Sequence, residues 1–279
     1  MMCRILYLFI FICMLSHTAI CQSSINSVVQ YDNNTVEHLD VQYSDTVNNK
    51  YLSDLKERYH LDEIVKNCKN QSEVALTICH WVHTRWKHNG GNTPDKSDAI
   101  SILEEAKQGK LFRCVEYGIT ITGALNALGI KSRTVGLKMK GVDTIAVGAG
   151  HVVAEAYLSD IKKWVYLDGQ YDVMPVLRGV PLNGVELQQA IYNDEKELLF
   201  ESISKKITKQ EYLGWITPYL YFFDIETDNR ESYGLEKRRQ REGLMLTPLD
   251  EKCPSIFQRT MPMNYVCTHS MKAFYEPPL

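Results

Sequence analysis

The chain has 279 residues, 44% of them hydrophobic and 23% charged, with a formal net charge of −3. Those values exclude a disordered polymer and give no electrostatic reason to expect nucleic acid as a partner. They describe an ordinary globular protein able to bury a core.

Arg4 precedes the unbroken apolar run Ile5 to Leu15, and a short polar stretch then reaches Ala19-Ile20-Cys21. This layout predicts a secretory signal peptide over residues 1–21, because the apolar segment is short for a bilayer span and Ala19 and Cys21 fall at the small-residue processing positions. The expected location is therefore exported, periplasmic or secreted. A membrane anchor through lipidation of Cys21 is the alternative, disfavoured by the bulky Ile20 before it. Cleavage removes Cys3, Cys13 and Cys21 and leaves Cys68, Cys79, Cys114, Cys253 and Cys267. That is an odd set in a compartment that permits disulfides, so at least one thiol stays unpaired. Pro254, Pro262 and Asn264 let the segment between Cys253 and Cys267 turn back and favour that pair; five reduced, buried cysteines is the reading left beside it.

Residues 22–66 read as an N-terminal arm and helix. Gln22 to Asn49 has no period and predicts an extended arm that adds little to the core, and the spacing of Tyr51, Leu52, Leu55, Tyr59, Leu61, Ile64 and Val65 predicts one helix. Residues 67–175 form the expected catalytic core. Ser72 followed by Glu73, Val74, Leu76, Ile78 and Trp81 predicts a helix to about Arg85, broken by Asn89 to Pro94; another spans Asp98 to Ala106. A third starts at Cys114 and runs to Leu128, with Gly129 placed to end it in a left-handed residue. Lys131 to Leu137, His151 to Leu158 and Trp164 to Asp168 alternate as strands. Residues 176–279 form a C-terminal extension with no linker-like composition, expected to pack on the core, with a helix at Val185 to Tyr192 and a strand-like run at Tyr219 to Phe223.

Cys114 begins its helix, where unpaired backbone N–H groups favour a thiolate and can hold an oxyanion. His151 and Asp168 follow on one predicted hairpin. If they face each other directly, the turn centres between Ser159 and Asp160; an offset of two or three residues still brings them to one end of the ladder. Alternation puts His151, Val153, Glu155 and Tyr157 on one face, and Trp164, Tyr166 and Asp168 on one face of the neighbour. Asp168 can then accept from one imidazole nitrogen and leave the other for sulfur. Gln108 stands six residues before Cys114 but reads as a surface residue. Cys79, His80, His83 and His88 supply no definite fourth metal ligand, so no metal or cofactor is expected, and a helix with partly exposed histidines is the preferred reading. The run Lys237 to Arg241, flanked by Glu236 and Glu242, reads as a solvated face rather than a nucleic-acid patch. Asn33-Asn34-Thr35 and Asn70-Gln71-Ser72 fit glycosylation acceptor patterns, which matter only in a eukaryotic source.

The order Gly109-x-x-x-x-Cys114-Val-Glu-Tyr-Gly118, then Leu125-x-x-Leu-Gly-Ile-Lys-Ser-Arg133, then His151-Val-Val-Ala-Glu-Ala-Tyr157, then Trp164-Val-Tyr-Leu-Asp168 resembles the transglutaminase-like domain of the papain-like cysteine protease superfamily. The resemblance covers roughly Ser72 to Tyr171. It implies an α+β fold with the cysteine helix packed against an antiparallel sheet, and a catalytic set of Cys114 as nucleophile, His151 as base and Asp168 as orienting acid. Arg113 and Val115 stand where the cross-linking members carry glutamine and tryptophan, and Gly169-Gln170 follows Asp168 where many relatives have proline. The expected activity is therefore hydrolysis of amide bonds in a protein or peptide substrate, rather than cross-linking. A catalytically idle binding or assembly module and a glycopeptide amidase are the alternatives, and the sequence leaves the oligomeric state open.

Overall fold

The computed structural model describes residues 29–231 and 242–278. The signal-peptide segment with Cys21, and the basic run from Lys237, lie outside them. Eight helices are described: α1 (Lys50–Arg58), α2 (Leu61–Val65), α3 (Gln71–His83), α4 (Ala99–Lys107), α5 (Cys114–Ala127), α6 (Gly184–Tyr192), α7 (Lys209–Ile216) and α8 (Met271–Phe274). Their starts follow local capping chemistry. The side chains of Asn49, Asn70, Asp98, Asn183, Thr208 and Ser270 each accept from a backbone N–H in the first turn, which satisfies donors the helix leaves unpaired.

The helix expected over 51–66 is two, because His60 adopts a left-handed φ of 51°. α3 begins at Gln71, not Ser72, since Asn70 rather than Ser72 caps it. α5 ends as expected, with Gly129 at φ 84°.

Beside two-residue strands at Gln42–Tyr43, Asp228–Asn229, Ile256–Phe257 and Met261–Pro262, the described strands are β1 (Ser132–Lys138), β2 (Gly150–Leu158), β3 (Lys163–Leu167), β4 (Met174–Leu177), β5 (Val180–Pro181), β6 (Leu198–Glu201), β7 (Phe222–Glu226), β8 (Gly243–Leu246) and β9 (Tyr265–Thr268). Six of them form the main sheet in the order β9-β8-β7-β1-β2-β3. It is antiparallel except where β8 and β9 run parallel, so the sheet is mixed at one edge. β4, β5 and β6 make a small antiparallel sheet. The strand expected at Tyr219 starts only at Phe222, because Thr217–Tyr219 is a 3-10 turn with Pro218 in its first positions.

Strand alternation divides the sheet between two layers. Ala154, Ala156, Leu158, Val165 and Leu167 pack with Ile121, Ala124 and Leu125 of α5 and with α1, α3 and α4. α5 is buried from Glu116 to Ala127, as a helix lying between other helices and a sheet must be. It approaches β2 closely: a Cβ on Gly118 would lie 3.0 Å from the Val153 carbonyl oxygen. The other face presents Val135, Leu137, Val153, Tyr166 and Phe223 to Leu187 of α6 and to Tyr212 and Ile216 of α7.

The N-terminal arm contributes more than its sequence suggests. Tyr31 is buried in that second layer, its hydroxyl donating to the Tyr221 carbonyl at 3.2 Å and accepting from Gln188 at 3.2 Å. Composition gave no sign of this, because one aromatic side chain secures the arm. Cys253 and Cys267 form a disulfide with Cα atoms 5.9 Å apart. Cys68, Cys79 and Cys114 are free thiols. No helix among the described residues is long and apolar enough to cross a membrane.

Candidate active site

Cys114 is the first residue of α5 and is partly exposed. The approach to it is held from the segment after α3: Phe112 bridges His88, the Asn89 N–H donates to the Phe112 carbonyl at 2.7 Å, and Asn92 Nδ2 donates to the Leu111 carbonyl at 2.8 Å. The break at Asn89 to Pro94 thus serves as a brace for Cys114. Tyr117, one turn into α5, donates to the Trp86 carbonyl at 3.0 Å. The backbone N–H groups of the first turn of α5 have no intrahelical acceptor and are the donors an oxyanion would use.

Glu116 in the same turn is fully buried, and its charge opposes a thiolate. Arg113 offsets it: its guanidinium lies 2.6 and 3.2 Å from the carboxylate, and its backbone N–H donates to the same group at 3.0 Å.

His151 opens β2 and Asp168 follows β3. The β2–β3 ladder pairs Ala154 with Leu167 and Leu158 with Lys163, so direct facing of His151 and Asp168 is not realised and the two-residue offset is. The diagonal contact suffices, with His151 Nε2 3.0 Å from Asp168 Oδ2. Cys114 is close enough to His151 to raise its affinity for protons; since Nε2 is engaged with Asp168, Nδ1 is the nitrogen available to sulfur. The structure therefore brings together all three residues singled out in the sequence. Burial pushes the imidazole's affinity for protons down, but Asp168 and then Cys114 outweigh it and raise His151 to about pKa 9.

Asp168 is fully buried and its carboxylate is saturated. Oδ1 accepts from the N–H groups of Gln170 at 3.0 Å and Tyr171 at 3.3 Å; Oδ2 accepts from His151 and from the Tyr212 hydroxyl at 2.9 Å. Gly169 packs closely on α5: a Cβ there would lie 2.6 Å from Ile121 Cδ1 and 3.0 Å from Tyr117 Cβ, so a larger residue would have to displace those side chains.

Three residues of the site come from the extension, and no motif in the sequence placed them there. Tyr212 holds Asp168, the Trp215 ring meets His151 edge-on with centroids 4.5 Å apart, and Tyr219 lies 6.1 Å from His151. Tyr171 joins them, 4.5 Å from Trp215. The one available signal was the aromatic spacing 212, 215, 219. His88 lies beyond α3, beside the site. Burial and then the charge of His151 depress its pKa. His80 Nδ1 meets Asp172 Oδ2 at 3.0 Å and His83 Nδ1 meets the Gly169 carbonyl at 3.1 Å, so these histidines brace the loop behind Asp168. Gln108 is exposed at the end of α4.

Residues 59–169 match the transglutaminase-like superfamily. The chain carries a transglutaminase-like domain. Its fold is the α+β arrangement of that family, with the cysteine-bearing helix against the sheet. Among solved structures, a candidate cysteine protease of Cytophaga hutchinsonii superposes with a TM-score of 0.36 at 16% identity, over 56% of this chain and 44% of its own. A TGase does so with a TM-score of 0.32 at 21% identity, over 42% and 31%. The periplasmic domain of TgpA from Pseudomonas aeruginosa gives 0.32 at 19%, over 43% and 45%. This chain covers less than half the length of each of them. No curated protein matches the sequence.

Proposed function

We propose that the protein is an exported thiol hydrolase that cleaves amide bonds of a protein or peptide substrate, at the backbone or at glutaminyl side chains. Residues 67–175 act as the catalytic core and 176–279 as an extension packed on it. The observation that carries this reading is the grouping of Cys114, His151 and Asp168: the thiol stands at the first position of α5, the buried imidazole lies 3.0 Å from the carboxylate, and Cys114 is near enough to raise the imidazole's affinity for protons.

In the proposed reaction the Cys114 thiolate attacks the amide carbonyl carbon, and the oxyanion forms against the α5 N–H groups. The C–N bond then breaks as His151 gives its proton to the departing amine, leaving a thioester on Cys114. Water attacks the thioester carbon, His151 takes a proton from it, and the C–S bond breaks to release the acid. Asp168 holds the imidazole throughout. Hydrolysis is favoured over amine transfer because Arg113 and Val115 replace the residues that flank the cysteine in cross-linking members. The Cys253–Cys267 bridge supports export, since such bonds persist in oxidising compartments.

Replacing Cys114 with alanine should abolish labelling by a low concentration of a thiol-directed electrophile. Incubation with a peptide library and a free amine, read by mass spectrometry, should give cleavage or deamidation that also disappears in Cys114→Ala. Equal labelling of both proteins, or products independent of Cys114, would overturn the reading; amine incorporation as the main product would overturn the preference for hydrolysis.

A further inference from the structure

The carboxylate that orients His151 is shared with a residue outside the family match. Asp168 Oδ2 accepts both from His151 Nε2 at 3.0 Å and from the Tyr212 hydroxyl at 2.9 Å, and Tyr212 lies 2.8 Å from the Tyr166 hydroxyl. The direction of this series follows from proton counting. A carboxylate only accepts, so the single hydroxyl proton of Tyr212 is committed to Asp168, and Tyr166 must donate to Tyr212. All four side chains are buried, where hydrogen bonds polarise one another and water does not compete.

We propose that Tyr212 is a positioning residue that fixes the Asp168 carboxylate and limits how tightly it holds the imidazolium proton of His151. This rests on the reading of Cys114, His151 and Asp168 as the catalytic set. Two donors on one oxygen share its negative charge, so each hydrogen bond from Tyr212 is charge withdrawn from the contact to His151. Burial, and then the charge of Asp168, hold the Tyr212 phenol well above its ordinary pKa, so it stays a neutral donor throughout the working range. The other titratable groups whose charges reach this pair are Cys114 on α5, Tyr117 one turn along it, Cys79 on α3, His88, and Tyr171 after β3. Among the described residues, none of them shares a side-chain hydrogen bond with Asp168. The consequence is that α7, in the extension, is a working part of the catalytic centre.

The test is the proton titration of His151, followed by imidazole 15N NMR on the full chain and assigned by the resonance lost in His151→Gln. Tyr212→Phe keeps the ring and removes the donor. It should raise the His151 midpoint above that of the unsubstituted protein by about half a pH unit. Tyr166→Phe leaves the Tyr212 hydroxyl in place and removes only its donor, and should move the midpoint the same way by less. Phe200→Leu alters a ring packed edge-on to Tyr212 at 4.9 Å; it should lower thermal stability and leave the midpoint unmoved. An unchanged midpoint in Tyr212→Phe, or an equal shift in Phe200→Leu, overturns the proposal. If Tyr212→Phe does not fold, an unmoved midpoint in Tyr166→Phe does so. The measurement reads the imidazole and not a product, so failure of Cys114 labelling and failure of the Tyr212 assignment are separate results.

Discussion

The two layers packed on the main sheet bury different chemistry. On the α5 side the contacts over β1 to β3 are aliphatic or neutral: Ile121, Ala124 and Leu125 against Ala154, Ala156 and Leu167, with the neutral pairs Thr122–Thr134 and Asn126–Ser132. On the extension side the same strands carry two buried ionic contacts. Arg133 lies 2.8 Å from Glu155, and His151 lies 3.0 Å from Asp168. Each is completed from far along the chain. Arg133 donates to the Phe274 carbonyl at 2.8 Å and is stacked by Trp164 and Phe274, while Glu155 accepts from Gly184 N–H at 3.0 Å and Tyr275 at 3.2 Å. Cys114 stands on an apolar support, and His151 and Asp168 stand in a polar layer that the extension closes. Charges of this kind are costly to bury unless every lone pair and proton is met. The extension is therefore the part of the fold that makes a buried imidazolium–carboxylate pair affordable.

The largest effects should come from cavities that test whether the two layers unfold together. Leu125→Ala in α5 and Leu187→Ala in α6 each empty a buried site and should cost about 2–5 kcal/mol. Because both layers share β1, β2 and β3, each variant should lower one common transition in denaturant, seen alike by far-ultraviolet dichroism and tryptophan fluorescence. Two separated transitions, with Leu187→Ala lowering only one, would show the extension to be independent.

The next effect is set by pH. The folded-state pKa of His151 is raised from 6.5 to about 9. The protonated imidazole therefore adds stability that is fully present below about 6.5 and is lost as pH rises through about 9. A shift of that size corresponds to something on the order of 3 kcal/mol. The proposed hydrolysis should slow over the same alkaline range, because the neutral imidazole has no proton to give the departing amine. His151→Gln should flatten the stability change between pH 6.5 and 9.5, measured by thermal unfolding; an unaltered slope would remove the pair as its source.

The contrast between the layers also explains what could be read from the chain alone. α5 was legible because its signals are local: an aliphatic run, a cysteine at the start, and Gly129 at the end. His151 and Asp168 were legible because one hairpin joins them, and strand alternation sets their faces whatever the exact register. Tyr212 was not, since its partner Asp168 is 44 residues away and a tyrosine in an extension carries no mark of its acceptor. α7 itself was hidden. It has Gly214 in its interior, a residue that costs about 1 kcal/mol relative to alanine, and its buried face is aromatic rather than a regular aliphatic stripe. The same local reading displaced β7, because the aromatic run from Tyr219 begins in a turn that Pro218 imposes.

The smallest predicted effect isolates the ring that the extension lays on His151. Trp215 is only partly buried, yet its ring meets the His151 ring at 86° and is flanked by Tyr171 and Tyr219. Trp215→Ala removes an edge-to-face contact worth about 0.5–1.5 kcal/mol and admits water to one side of the imidazole. Water there screens Asp168 and loosens the orientation of His151, so the Cys114-dependent rate should drop by about tenfold, the rate equivalent of about 1.4 kcal/mol. The accompanying change is accessibility. His151, now 2% exposed, should react faster with diethyl pyrocarbonate in Trp215→Ala, with the modified residue located by mass spectrometry. Trp215→Phe, which retains a ring edge, should restore most of both properties. If Trp215→Ala leaves the modification rate of His151 unchanged while lowering activity, Trp215 acts on the substrate side of the cleft and the cover over the base is supplied by Tyr212 and the sheet alone.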